Sequence, residues 1–184
     1  MQRFITLAFS ALLLLSLNAA TPETHYTVIV SLDGFRWDYP DMYKTPNLDR
    51  MAADGVNAVM LPSYPASTFP NHYTLATGLV PDHHGIINNT FWDVKNRRQY
   101  SMGDSATRNN PEYYFGEPIW ITAQKQGVKT GNMYWVGSDI AIKKSHPTYY
   151  RPWNAKPFLT FEQRIDTVLT WLQKPEPERP RLIM

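Results

Sequence analysis

A threonine at the mouth of a helix and an aspartate at the end of a strand are the residues of this chain whose types and spacing could do chemistry. The segment Pro65-Ala66-Ser67-Thr68-Phe69-Pro70-Asn71-His72-Tyr73-Thr74-Leu75-Ala76-Thr77-Gly78 reads as a helix and its two ends. Pro70 suits a first helical turn, where its missing N–H has no partner to lose, and Gly78 suits the left-handed residue that ends such a helix. Thr68 and Phe69 then lie at the N-terminal rim. Free backbone N–H groups and the positive end of the helix dipole gather there and would stabilise an anion such as phosphate beside the threonine oxygen. On this segment alone, Thr68 as a plain N-cap is the favoured reading. A second segment changes the balance. Tyr26-Thr27-Val28-Ile29-Val30-Ser31-Leu32 is a β-branched apolar run expected to form a buried strand, and it ends in Asp33-Gly34-Phe35-Arg36. The carboxyl edge of an open α/β sheet is where ligands bind. A lone aspartate there more often caps a turn; with Thr68 downstream, a carboxylate and a hydroxyl converging on one metal becomes a reasonable hypothesis.

Four groups of residues carry a resemblance. Val30-Ser31-Leu32-Asp33-Gly34-Phe35-Arg36, Thr45-Pro46-Asn47-Leu48, Ser67-Thr68-Phe69-Pro70-Asn71-His72-Tyr73 and Thr77-Gly78-Leu79-Val80-Pro81-Asp82-His83-His84-Gly85-Ile86-Ile87-Asn88-Asn89 closely resemble, in order and spacing, the nucleotide pyrophosphatase/phosphodiesterase family of the alkaline phosphatase superfamily. Pro118-Ile119-Trp120, Gly137-Ser138-Asp139 and Arg164 through Leu172 extend the likeness from about residue 25 to the last residue. Val136 stands where a proline is more usual before Gly137, a departure in a loop. The resemblance implies an alkaline-phosphatase-like α/β fold, a mostly parallel sheet with helices on both faces, incomplete at the C-terminus. It implies that Asp33 is a zinc ligand, that Thr68 is both nucleophile and ligand, and that Asn89 steadies a phosphoryl oxygen.

The residue types agree with that chemistry. A threonine hydroxyl is a poor nucleophile until a cation stabilises its alkoxide. Two zinc ions about 4 Å apart would clamp the attacking and leaving oxygens of an in-line displacement, giving a phospho-threonine that water then cleaves. Asn89 would donate an amide hydrogen bond to the equatorial oxygens. Phe69 and Trp120 are apolar faces that could contact a base or other flat leaving group, although aromatic residues are 14% of the chain and most must serve packing. By the resemblance His83 and His84 lie outside the zinc set. His72 and His146 read as hydrogen-bonded structural histidines.

The family site also needs two aspartates and three histidines beyond the last residue here, whereas Arg179-Pro180-Arg181-Leu182-Ile183-Met184 looks like a chain entering a buried strand. Zinc sites take three or four protein ligands, so the expectation is that this portion alone does not hold two zinc ions tightly and is catalytically dead or nearly so. An uncompleted sheet also predicts poor solubility. A monoesterase of the same superfamily and a non-catalytic truncated product that binds an anion at the Thr68 helix mouth remain as alternatives. A sulfatase is disfavoured, because Thr68-Phe69-Pro70-Asn71 occupies the place of its Cys/Ser-x-Pro-x-Arg setting.

Composition sets the surroundings. Met1-Gln2-Arg3, the apolar Phe4 to Leu17 and the small residues around Ala19-Ala20 read as a secretory signal over residues 1–20, leaving 21–184 as the N-terminal part of a phosphodiesterase catalytic domain. The apolar run is shorter than the ~20 residues needed to span a bilayer, and no other segment is a membrane candidate. There is no cysteine, which excludes disulfides and thiolate metal sites and reads as a periplasmic or secreted bacterial setting. A net charge of +2 with scattered Lys and Arg excludes a nucleic-acid surface. The resemblance implies a small phosphodiester or nucleotide as the substrate.

The positioning elements read as α/β. Thr45 caps a helix opening with Pro46 and closing at Gly55, and Val56 to Leu61 return as a strand. Phe91 to Tyr114 form a hairpin or lid-like excursion. Glu117 to Gln126 make a helix ended by Gly127, and Val128 to Val136 a strand. Thr160 and Gln163 form a capping box opening a helix that runs to Lys174, on which Phe161, Ile165, Val168, Leu169 and Leu172 share one face expected to be core.

Overall fold

The computed structural model describes residues 25–184, so the signal segment expected at residues 1–20 lies outside the described residues. In chain order the elements are β1 (Thr27–Val28), α1 (Tyr39–Met42), α2 (Pro46–Asp54), α3 (Thr68–Thr77), α4 (Pro81–His84), β2 (Thr90–Asp93), β3 (Arg98–Ser101), α5 (Ser105–Arg108), α6 (Ile119–Lys125), β4 (Thr130–Met133), β5 (Tyr149–Arg151), α7 (Phe161–Leu172) and β6 (Leu182–Ile183). Four strands form a parallel sheet in the order β1-β6-β4-β5, with Thr27 opposite Leu182 and Thr130 opposite Leu182 on the other side. The last residues thus supply an interior strand, fully buried, as the apolar Leu182-Ile183-Met184 run requires. Among the described residues no helix is long and apolar enough to cross a membrane.

Helices flank the sheet on both faces. Alternation along β6 sends Leu182 and Met184 into the main core, with Phe69, Tyr73, Trp120, Trp135 and Ile140. Gly131 and Ile183 face the other way, toward α7. There the Trp171 ring lies so close to β4 that a Cβ on Gly131 would stand 2.8 Å from it. The core is aromatic in character, with Tyr73 edge-on to Tyr114 and Phe91 stacked on Tyr100. The β2–β3 hairpin forms as expected within the 91–114 stretch, pairing Phe91 with Tyr100.

Several local expectations are met. Gly78 ends α3 with a φ of 70°, and Thr160 and Gln163 exchange both bonds of a capping box at α7. Others are corrected. β1 is two residues long and solvent-exposed, an edge strand that among the described residues pairs with β6 alone. Val56 to Leu61 form no strand; no neighbour among the described residues pairs with them, and Val56 and Leu61 are 93% and 87% exposed. On α7 the apolar period is present, but Phe161, Ile165 and Leu169 point to solvent, while Trp171 makes the contact with the sheet. A helical period shows that a face exists and does not supply its partner.

Candidate active site

Thr68 is the first residue of α3. Ser67 holds the N-cap position with extended backbone and makes no side-chain cap, so the plain N-cap reading of Thr68 does not hold. Its hydroxyl donates to Asp33 Oδ2 at 3.2 Å across 35 residues of sequence. Asp33 stands just past the carboxyl end of β1 and is exposed, whereas Thr68 is half-buried. The loop that precedes α3 is held by Asn71 in the helix's own first turn. Its Oδ1 accepts from Ser63 N–H at 2.8 Å, and its Nδ2 reaches the carbonyls of Pro65 and Ser67 at 2.9 and 3.0 Å. That clamp fixes the loop that delivers Thr68.

Asn89 meets the same turn. Its Oδ1 accepts from the Phe69 backbone N–H at 2.9 Å, and its own N–H donates to Asn88 Oδ1 at 2.8 Å. With the amide oxygen turned to Phe69, the Asn89 NH2 group makes no hydrogen bond to other described residues and stays available as a donor. The expected cradle of free helix N–H groups is accordingly smaller than the sequence suggested. Phe69 has given its N–H to Asn89, Pro70 has none, and Asn71 donates to Ser67. An anion here would meet the Asn89 amide and the Thr68 N–H.

The two aromatic candidates lie elsewhere than expected. Trp120 is fully buried on the inner face of α6, so its ring has no surface to offer a substrate and it belongs to the core. Phe69 is 1% exposed and packs edge-on against Trp153, with ring centroids 5.1 Å apart. The accessible part of this aromatic wall is Trp153, half-buried, which sequence reasoning passed over among many aromatic residues. Nearby, burial pushes the Asp139 carboxyl above the usual carboxylate range, with Arg108 opposing that shift.

The histidines take structural places. His84 is fully buried, with Nε2 within 3.0 Å of Thr74 Oγ1 and 3.1 Å of the Pro70 carbonyl, while Nδ1 accepts from Ile86 N–H. Burial lowers its pKa. His146 stacks on Tyr150, but its buried Nδ1 has no hydrogen-bond partner among the described residues, so the expected hydrogen-bonded place does not hold for it. His72 contacts Thr68 and Ser31, which single-residue reasoning did not anticipate. Its position four residues after Thr68, on the same helix face, was the available signal.

The arrangement suits a cation. A carboxylate 3.2 Å from a hydroxyl opposes ionisation of that hydroxyl, and a divalent ion shared by both oxygens removes the opposition. The two oxygens could serve as two ligands of one divalent-metal site. Among the described residues no group of three or more His, Cys, Asp or Glu side chains could hold an ion, so these residues do not complete one.

A parallel sheet flanked by helices thus brings a threonine and an aspartate together beyond its carboxyl edge. The sequence model of the type I phosphodiesterase / nucleotide pyrophosphatase family matches residues 27–184, and the chain belongs to that family. It is 43% identical over 156 residues to bovine (Bos taurus) ectonucleotide pyrophosphatase/phosphodiesterase family member 3, a match covering 83% of this chain and 18% of that protein. It is 44% identical over 161 residues to human (Homo sapiens) family member 1, covering 86% and 17%. Venom phosphodiesterase 2 of Crotalus adamanteus is 40% identical over 83% of this chain and 18% of its own length. Among solved structures, murine ectonucleotide pyrophosphatase/phosphodiesterase 5 superposes with a TM-score of 0.77 at 34% identity, covering 86% of this chain and 42% of that one. An inactive threonine-to-alanine variant of that murine protein, in complex with AMP, matches with the same TM-score at 33% identity, over the same 86% and 42%. The chain spans less than a fifth of the curated relatives it matches.

These relatives overturn the bacterial setting read from the lack of cysteine, since they are mammalian ectoenzymes and snake venom enzymes. This stretch of the domain closes its core with aromatic packing and side-chain clamps such as Asn71 and His84, so a cysteine count of zero carries no information about the kingdom.

Proposed function

We propose that this chain carries the nucleophile-bearing part of an extracellular or secreted hydrolase that cleaves phosphodiester or pyrophosphate bonds in nucleotides. The observation that carries the reading is the 3.2 Å approach of Thr68 Oγ1 to Asp33 Oδ2, with Asn89 latched to the very next backbone N–H. Thr68 attacks phosphorus in line with the leaving oxygen, and a phospho-threonine forms as the ester bond breaks. Water then cleaves that intermediate and returns the hydroxyl. Asn89 Nδ2 donates to a non-bridging phosphoryl oxygen, and the dipole of α3 favours the negative charge gathered there. Asp33 and Thr68 would each give one oxygen to a zinc ion, which when bound supplies the charge that favours the threonine alkoxide. Trp153, seated beside Phe69, offers a flat apolar surface for a base or other planar leaving group. The existence of a relative that is inactive as a threonine-to-alanine variant and carries AMP supports both the nucleophile and the substrate class.

The test is Thr68→Ala in the full-length protein, assayed on a nucleotide p-nitrophenyl diester and on the matching monoester. The expected outcome is loss of at least about 10³-fold in kcat with the diester, and partial retention in Thr68→Ser. Acid quench followed by peptide mass spectrometry should find phosphate on Thr68 in the active protein. Undiminished turnover by Thr68→Ala would sink the proposal.

A further inference from the structure

Sheet hydrogen bonding of the first strand ends where Ile29 N–H donates to the Ile183 carbonyl at 2.8 Å. Residues 30–37, which carry Asp33, then run exposed along the edge of the fold, with Val30 76% and Leu32 50% accessible. Among the described residues two hydrogen bonds tie this segment to parts of the chain distant in sequence, Thr68 Oγ1 to Asp33 and Ser31 Oγ to His72 Nε2 at 2.8 Å, while Arg36 pairs with Asp38 and accepts from Tyr39 N–H in the turn that follows. The other ring nitrogen of His72, Nδ1, lies 2.8 Å from the Thr68 carbonyl. A carbonyl only accepts, so Nδ1 carries a proton toward Thr68, and Nε2 pairs with the Ser31 hydroxyl, which can both donate and accept. The ring is held from behind by Trp135, which packs edge-on at 5.4 Å and donates its indole N–H to the His72 carbonyl at 3.1 Å.

We infer that His72 is a positioning residue that tethers the Asp33 loop to the Thr68 turn. One imidazole grips the backbone of the nucleophile with one nitrogen and, with the other, a side chain two residues before the partner aspartate. A loop with so few other attachments would otherwise sample positions in which Asp33 and Thr68 do not face one point, and loss of alignment by about 1 Å is costly in catalysis. The catalytic meaning of the tether rests on the proposed function; the tether itself does not.

Trypsin provides a readout that needs no activity, since Arg36 lies in the loop and Arg97 in the exposed turn of the β2–β3 hairpin serves as an internal reference. In the full-length protein, Ser31→Ala and His72→Leu should each speed cleavage after Arg36 about fivefold, the change expected on losing one net hydrogen bond. The double variant should be no faster than either single one, His72→Gln should return toward the parent rate by restoring a group near the Nε2 position, and cleavage after Arg97 should stay constant. Unchanged cleavage after Arg36, or acceleration at both arginines together, would overturn the tether. Kinetics separate the two levels of argument. With Ser31→Ala, kcat should fall about tenfold with KM little changed, whereas a loosened loop with unaltered kcat would overturn its catalytic role. Retained activity in Thr68→Ala would instead overturn the proposed function and leave the tether standing.

Discussion

The Phe69 backbone N–H donates to Asn89 Oδ1 at 2.9 Å, joining the first turn of α3 to the segment that follows α4 across 20 residues of sequence. That bond orients the asparagine amide. Its oxygen is committed to the helix, so its nitrogen is directed away with donor capacity left over, and the same contact consumes an N–H that a free helix mouth would have offered to an anion.

Asn89→Asp separates these two functions. The carboxylate still accepts from Phe69, so the melting temperature should stay close to that of the parent, but the donor is replaced by negative charge. Turnover of a nucleotide diester by the full-length protein should fall by at least about 10²-fold, the scale on which single oxyanion donors act. Equal activity in the two proteins would show that the Asn89 amide does not touch the reacting phosphoryl group.

His84 makes stability depend on pH in a defined direction. Burial lowers its folded-state pKa below the ordinary 6.5, so the folded protein holds it neutral while the unfolded chain binds a proton first. Its contribution is present in full above about pH 6.5 and is lost as pH falls through the depressed folded value. Urea midpoints measured at pH 7.5 and pH 5 should differ by more in the parent than in His84→Gln. That substitution should itself cost about 1–3 kcal/mol at pH 7.5, because the Pro70 carbonyl and the Thr74 hydroxyl lose a buried partner.

Gly131 is required by contact. An alanine methyl there would meet the Trp171 ring at 2.8 Å on one side and Ile183 at 3.7 Å on the other. Gly131→Ala should destabilise the protein by about 1–3 kcal/mol in chemical denaturation. Combining it with Trp171→Leu should give less than the sum of the two single costs, since the smaller side chain vacates the space the methyl needs.

The apolar stripe of α7 can be tested for what it contributes in this stretch of chain. Ile165 and Leu169 are 59% and 48% exposed, so Ile165→Glu with Leu169→Lys removes little packing. In the 184-residue polypeptide the pair should change the unfolding free energy by no more than about 0.5 kcal/mol per site and raise the concentration at which light scattering appears. A loss of several kcal/mol would mean that the stripe is buried in solution.

Local chemistry made α3 legible from sequence: a proline in its first turn, a glycine at φ 70° to end it, and a threonine and an asparagine at a spacing that could be recognised. The capping box of α7 and the glycine-ended turns follow the same logic, because a cap or a left-handed residue acts on neighbours within a few positions. The meeting of Asp33 with Thr68 was inferred from a pattern, and its 3.2 Å distance belongs to the fold. What tertiary structure alone decided is pairing across distance. Val56 to Leu61 have strand-like composition and no strand beside them among the described residues, Trp120 faces inward because α6 packs on β4, and α7 turns Trp171 to the sheet. His72 acquired its role in the same way, since its partner Ser31 lies 41 residues away in sequence. Propensity and periodicity give each segment a shape and an apolar face, whereas which groups share a hydrogen bond or a buried surface depends on contacts that exist only after the chain has closed on itself.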